Sequence, residues 1–296
     1  MHRETSGRSL LRNARVYLSG PMDFVASRAE EKQSGWRVRV KEFLQSYGAT
    51  VFDPWLKPKV RGLHEYGRED VATVKLREKW TFAPTKEGAR TRAECARTFW
   101  ETMHIDLRMV DISDFVIAYC PTNIYSVGTP HEIIVARQQH KPVLFVSTAV
   151  VFPALDELEK HLDSVGDTQG KKLLGRLATR VPIRPNPQGI PSLWYMPLIN
   201  GHNFFDGFGF EKYRKKFNWS IGPTDERERR YPPKRSLLQF LENLNHKLPK
   251  KWDANKGKFV QDDDWLLLDH RNVQRTSQDA RVHNDANAQK VCPHSS

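Results

Sequence analysis

Residues 114–120 (DFVIAYC) form a nearly unbroken apolar run, and no other stretch restricts the fold so strongly. A strand that is apolar on both faces must be covered on both, as the central strands of a parallel sheet are. The residues around it supply the cover. Residues 130–140 have the length and composition of a short helix, and residues 141–147 (KPVLFVS) read as a second buried strand. Near the N-terminus, residues 15–20 (RVYLSG) are a β-type run broken by Gly20-Pro21, which turns the chain into a loop over the strand's carboxyl end. Ser27-x-x-Glu30 has the form of a capping box. Behind it Trp36, Val40, Phe43, Leu44 and Tyr47 recur at helical spacing, and Gly48 stands where a C′ glycine would stop the helix. Residues 49–53 read as another strand, ended by Pro54. Strand, helix and strand in this order make a βαβ unit. The expected fold is therefore α/β, a doubly wound (flavodoxin/Rossmann-like) parallel sheet with a mainly helical, basic C-terminal extension.

Residues 55–90 show no clear period and make a long connection, either an active-site loop or a surface insertion. Thr91-x-x-Glu94 is a second capping box, and Ala96, Phe99, Trp100, Met103, Leu107 and Val110 form an apolar helical stripe after it. Residues 153–162 and 171–177 have helical patterns, while 182–197 is rich in proline and reads as irregular. Leu237, Leu238, Phe240, Leu241 and Leu244 have the spacing of a docked helix. The pattern divides the chain into a flexible N-terminus (1–13), an α/β domain (14–150), a C-terminal extension of unassigned role (151–272) and a disordered tail (273–296).

Composition narrows the function. A formal net charge of +12 over 296 residues favours anionic partners, among them nucleotides, nucleic acids and acidic proteins. The three cysteines lack CxxC spacing, so neither a disulfide framework nor a zinc site is suggested. The N-terminus has no apolar core of a secretory signal, and the longest apolar run, 143–155, is interrupted and shorter than the ~20 residues of a membrane span. A soluble cytoplasmic protein is expected. There is no HExxH, Walker loop or GxGxxG in a strand-to-helix setting, so no metal and no cofactor are called for. The basic, aromatic segment 204–258 leaves nucleic-acid binding as a minor alternative.

The chemistry centres on residues 126–132, SVGTPHE. Thr129 as N-cap, Pro130 as N1 and Glu132 as N3 would make a capping box, which needs no function. The other reading is that Glu132, at a helix N-terminus above a parallel sheet, is held ionised and points into the ligand crevice. A carboxylate so placed suits attack on a carbon with oxocarbenium character.

Val16-Tyr17-Leu18-Ser19-Gly20-Pro21, Asp106 with the following Asp114-Phe115-Val116-Ile117-Ala118, Gly128-x-x-x-Glu132 with Ala136, and the exit strand beginning Lys141-Pro142-Val143 stand in a particular order and spacing. In these pieces the chain resembles the nucleoside 2-deoxyribosyltransferase superfamily, including relatives that hydrolyse the N-glycosidic bond of 5′-nucleotides. The resemblance covers residues 15–147. It implies that Glu132 is the nucleophile, that Tyr17 orients it, and that Asp106 serves ribose binding and proton handling. It implies a substrate-binding set of Ser19, Gly20, Ser126, Gly128 and Thr129, a small-molecule nucleoside or nucleotide as partner, and a homo-oligomer. Ser126 departs from the transferases, which have Asp at its place, and agrees with the nucleotide hydrolases, where Ser helps to bind the 5′-phosphate. Those hydrolases also have Ser and Arg soon after the first glycine, whereas Gly20 is followed by Pro21, Met22 and Asp23. Cleavage or exchange of the N-glycosidic bond of a (deoxy)nucleoside or nucleotide through a carboxylate nucleophile is the leading expectation, with 5′-nucleotide N-hydrolysis and non-catalytic nucleotide binding or sensing as the alternatives.

Overall fold

The computed structural model describes residues 9–22, 28–56, 78–122, 124, 126–149, 153–180, 189–199, 202–266 and 268. Ser27 of the first capping box, most of the 55–90 connection and the 273–296 tail lie outside these residues.

The four expected strands form. They are β1 (Arg15–Ser19), β2 (Thr50–Phe52), β3 (Phe115–Tyr119) and β4 (Val143–Val146). A fifth, β5 (Phe204–Phe205), comes from the C-terminal half and pairs with β4. All pairings in this sheet are parallel, in the order β2-β1-β3-β4-β5. The order reverses between β1 and β3, and at such a switch point the crevice beyond the strands' carboxyl ends is the natural ligand site. Ser19 lies there, in register with Ala118.

Alternation along each strand sends side chains to two cores. Val16, Leu18, Phe115, Ile117, Leu144 and Val146 enter one. They meet α2 (Trp36–Ser46), which follows α1 (Arg28–Ser34) after a break at Gly35 where one helix had been expected. Gly48 has φ 81°, as the C′ expectation required. Tyr17, Val116, Ala118, Val143 and Phe145 enter the other core, against Met109 and Val110 of α3 (Lys86–Ile112) and Ile133 and Ala136 of α4 (Gly128–Gln138). α3 starts earlier than the Thr91 capping box predicted. Thr85 is its N-cap and accepts the Gly88 amide at 3.1 Å, while the Thr91 hydroxyl donates to the Glu87 carbonyl inside the helix.

The C-terminal half is helical, as expected: α5 (Pro153–Ser164), α6 (Thr168–Arg180), α7 (Tyr195–Leu198), α8 (Phe210–Phe217), α9 (Pro223–Arg230) and α10 (Leu237–His246). It also completes the first core, because Phe210, Tyr213, Leu237, Leu238, Leu241 and Leu244 pack beneath β1, β3 and β4. Arg39 of α2 and Asp225 of α9, both buried, pair at 2.5 Å and join the halves. Of the N-terminus expected to be flexible, Leu10 and Leu11 are buried, with the Leu10 amide donating to the Asn245 carbonyl at 3.0 Å. A two-stranded antiparallel sheet, β6 (Lys250–Asp253) with β7 (Lys258–Gln261), follows α10.

Candidate active site

The helix that carries Glu132 begins at Gly128, not after Thr129, so the expected capping box is not formed. Ser126 explains the difference. Its Oγ lies 2.9 Å from Thr129 Oγ1 and accepts the Thr129 amide at 3.4 Å, which takes over the role assigned to Thr129 and starts the helix sooner. Glu132 therefore falls in the second turn. Its carboxylate reaches across to β1: Tyr17 Oη donates to Oε1 at 2.7 Å, and Ser19 Oγ donates to Oε2. Tyr17 and Ser19 are fully buried and two residues apart on one strand, so both hydroxyls rise on the same face of the sheet. Glu132 itself is half-buried.

The electrostatics keep this arrangement in one protonation state at Tyr17. Burial raises the phenol well above its ordinary pKa, and the negative charges of Glu132 and Asp106 raise it further. Tyr17 thus stays a donor at neutral pH. Asp106, half-buried on α3, lies within electrostatic range of Tyr17.

Arg37 of α2, absent from the sequence-based set, lies behind the site. It is fully buried and donates to the carbonyls of Leu18 at 3.3 Å, Gly20 at 2.7 Å and Pro21 at 3.3 Å, fixing the turn after β1. Burial lowers its pKa, opposed by Asp53, Glu31, Tyr17 and Glu132. Its signal in the sequence was a cation beside Trp36 within an apolar stripe, and its guanidinium lies over the Trp36 ring. Gly20 is packed tightly, because a Cβ there would come within 2.8 Å of the Trp36 ring.

Two further groups were not foreseen. Cys120, after β3, has its thiol pushed far up by burial and by the charge of Glu132, so it is no rival nucleophile at neutral pH. Beside it in the second core lies Tyr195 of α7, whose own pKa is pushed up to about 12, mainly by burial. The C-terminal half thereby reaches the crevice. Of the expected binding residues, Thr129 is buried with its hydroxyl turned to Ser126, and Gly128 faces open space. A separate cleft of about 590 Å³, lined by Gly209, Lys212, Arg229, Lys234 and Arg235 among others, includes none of the site residues. Among the described residues no group of three or more His, Cys, Asp or Glu could hold a metal, and no helix is long and apolar enough to cross a membrane.

No family model and no curated protein matches the chain. Several solved structures resemble it weakly, among them the following two. A 2-deoxyribosyltransferase from the psychrotolerant bacterium Bacillus psychrosaccharolyticus is 20% identical, with 45% of this chain and 72% of that one covered and a TM-score of 0.26. A conserved protein from Enterococcus faecalis V583 is 15% identical, with 65% and 89% covered and a TM-score of 0.32. Neither likeness carries an argument about activity.

Proposed function

We propose that the protein cleaves or exchanges the N-glycosidic bond of a nucleoside or nucleotide, with Glu132 as nucleophile. The observation that carries this reading is the carboxylate of Glu132 held by two buried hydroxyls, Tyr17 and Ser19, at the switch point of a parallel sheet. Two donors fix the carboxylate's plane and direction, so the reacting oxygen is positioned before the substrate arrives. In the first step a Glu132 oxygen bonds to C1′ as the C1′–N bond breaks; the electron pair goes to the leaving base nitrogen, which takes a proton from solvent water. In the second step the glycosyl ester is attacked at C1′ by a nitrogen of another base or by water, whose proton passes to Asp106 or to solvent as the C1′–O bond breaks and Glu132 returns as carboxylate. Tyr17, kept protonated, stabilises the carboxylate in its free form and can weaken its bond to Glu132 as the ester forms. Asp106 serves the sugar hydroxyls and proton transfer in this scheme.

The test is incubation with 2′-deoxynucleosides, alone and with a second free base, following base release and exchange by chromatography. Wild-type turnover that disappears in Glu132→Ala supports the mechanism, and turnover unchanged in that variant removes it. Saturable nucleotide binding without base release would favour the sensor reading instead.

A further inference from the structure

Arg227, in the last turn of α9, is a cation that the proposed chemistry leaves unused. Its Nη1 donates to Tyr119 Oη at 3.3 Å and to Thr148 Oγ1 at 3.5 Å, and these two hydroxyls are 3.2 Å apart. Both belong to buried residues at the carboxyl ends of β3 and β4. Among the described residues the half-buried Arg227 has no carboxylate partner. A guanidinium partly withdrawn from water is stabilised by an anion more than by two neutral hydroxyls.

The other charge facing this corner is Glu31 of α1, which acts on Tyr119 in the sense opposite to Arg227. Burial raises the Glu31 pKa and so favours its neutral form, while Arg37 opposes this. The corner lies at the same carboxyl edge of the sheet as the reacting carboxylate, but Tyr119 packs into the first core and Tyr17 into the second, so the two flank that edge from opposite faces. A Cβ on Gly20 would lie 3.4 Å from the Tyr119 carbonyl, and the next residue, Cys120, feels the charge of Glu132.

We infer that Arg227, with the hydroxyls of Tyr119 and Thr148, forms a subsite for an anionic group of the substrate, a phosphomonoester being the chemistry that best matches a guanidinium and two hydroxyls. The inference rests on Glu132 being the reacting carboxylate; the anion would hold the end of the substrate remote from C1′. It moves the phosphate contact from Ser126, whose hydroxyl pairs with Thr129, to a residue of the C-terminal half that has no counterpart in the sequence resemblance.

Two readouts separate this subsite from the reaction. Calorimetry with inorganic phosphate and with a 5′-deoxynucleotide measures anion binding whether or not turnover occurs. Arg227→Ala should weaken nucleotide binding about 10- to 100-fold, the loss of one charge-assisted hydrogen bond, and Arg227→Lys should restore part of it. Where base is released, KM for the 5′-nucleotide should rise in Arg227→Ala at least five times more than KM for the matching nucleoside, a difference that misfolding cannot produce. Anion binding that depends on Arg227 without any base release would sustain the subsite and remove the proposed reaction. Base release with equal effects of the substitution on nucleotide and nucleoside, or nucleotide binding that is indifferent to both variants, would overturn the subsite. Thr148→Val supplies the check should Arg227→Ala fail to fold, with the same direction expected and the same indifference counting against it.

Discussion

Glu132 and Glu228 are two carboxylates near carboxyl ends of the same sheet, and their surroundings give them opposite uses. Glu228 of α9 is buried and accepts the amides of Phe208, Gly209 and Phe210, the backbone that leads from β5 into α8. It occupies the anion site that a helix N-terminus offers, and so no ligand can. Glu132 is half-buried and is held by side-chain hydroxyls of β1 at the point where strand order reverses. A carboxylate that closes backbone amides holds the chain together. One steered by two side chains at an open sheet edge is available to react.

The comparison breaks most visibly on substitution of the two residues. Glu132→Gln should lower base release about a thousandfold or more while leaving the urea midpoint nearly unchanged, since the proposed nucleophile is lost and the packing is kept. Glu228→Ala should do the reverse. Three amides, two of them buried, lose their acceptor, so unfolding free energy should fall by about 3 kcal/mol, measured by urea denaturation, with the activity of the folded fraction retained. If the two variants exchanged these effects, the division of roles would be wrong.

A smaller effect is expected from the donors that steer Glu132. Tyr17→Phe should reduce kcat about 10- to 100-fold with KM little altered, because the fold keeps the ring and loses only the hydroxyl bond. The pH dependence has a definite sign. The raised Tyr17 pKa means that the folded protein holds this proton longer than the unfolded chain does, so the group costs no stability below about pH 10 and destabilises the fold as pH climbs above it. Tyr17→Phe should therefore lose less stability than wild type between neutral pH and pH 11 in thermal melts. The smallest effect concerns the backbone. Thr85→Ala should cost about 1 kcal/mol through loss of the α3 cap, whereas Thr91→Ala should cost little, and equal costs would restore the later helix start.

The same contrast shows what the sequence could reveal. β1, β3 and β4 were legible because each is a run of apolar residues, and α2 because its apolar spacing ends at Gly48. β5 was not, since two phenylalanines carry no period and only pairing with β4 makes them a strand. Tyr17, Ser19 and Glu132 were singled out, but the sequence could not show that both hydroxyls converge on one carboxylate across more than 110 residues of chain. Local patterns misled at Thr91 and Thr129, where residues with capping chemistry lie inside helices that start earlier. Arg37 was passed over because a lone arginine on a helix reads as surface, and only its burial shows that it holds the turn after β1.

The central claim, that Glu132 is the reacting group, is tested most directly by acid-quenching the protein during incubation with a 2′-deoxynucleoside and mapping its peptides by mass spectrometry. The account predicts a deoxyribosyl adduct on the peptide containing Glu132, absent in Glu132→Gln. Substrate consumed with no adduct on that peptide, or no substrate consumed at all, would contradict it.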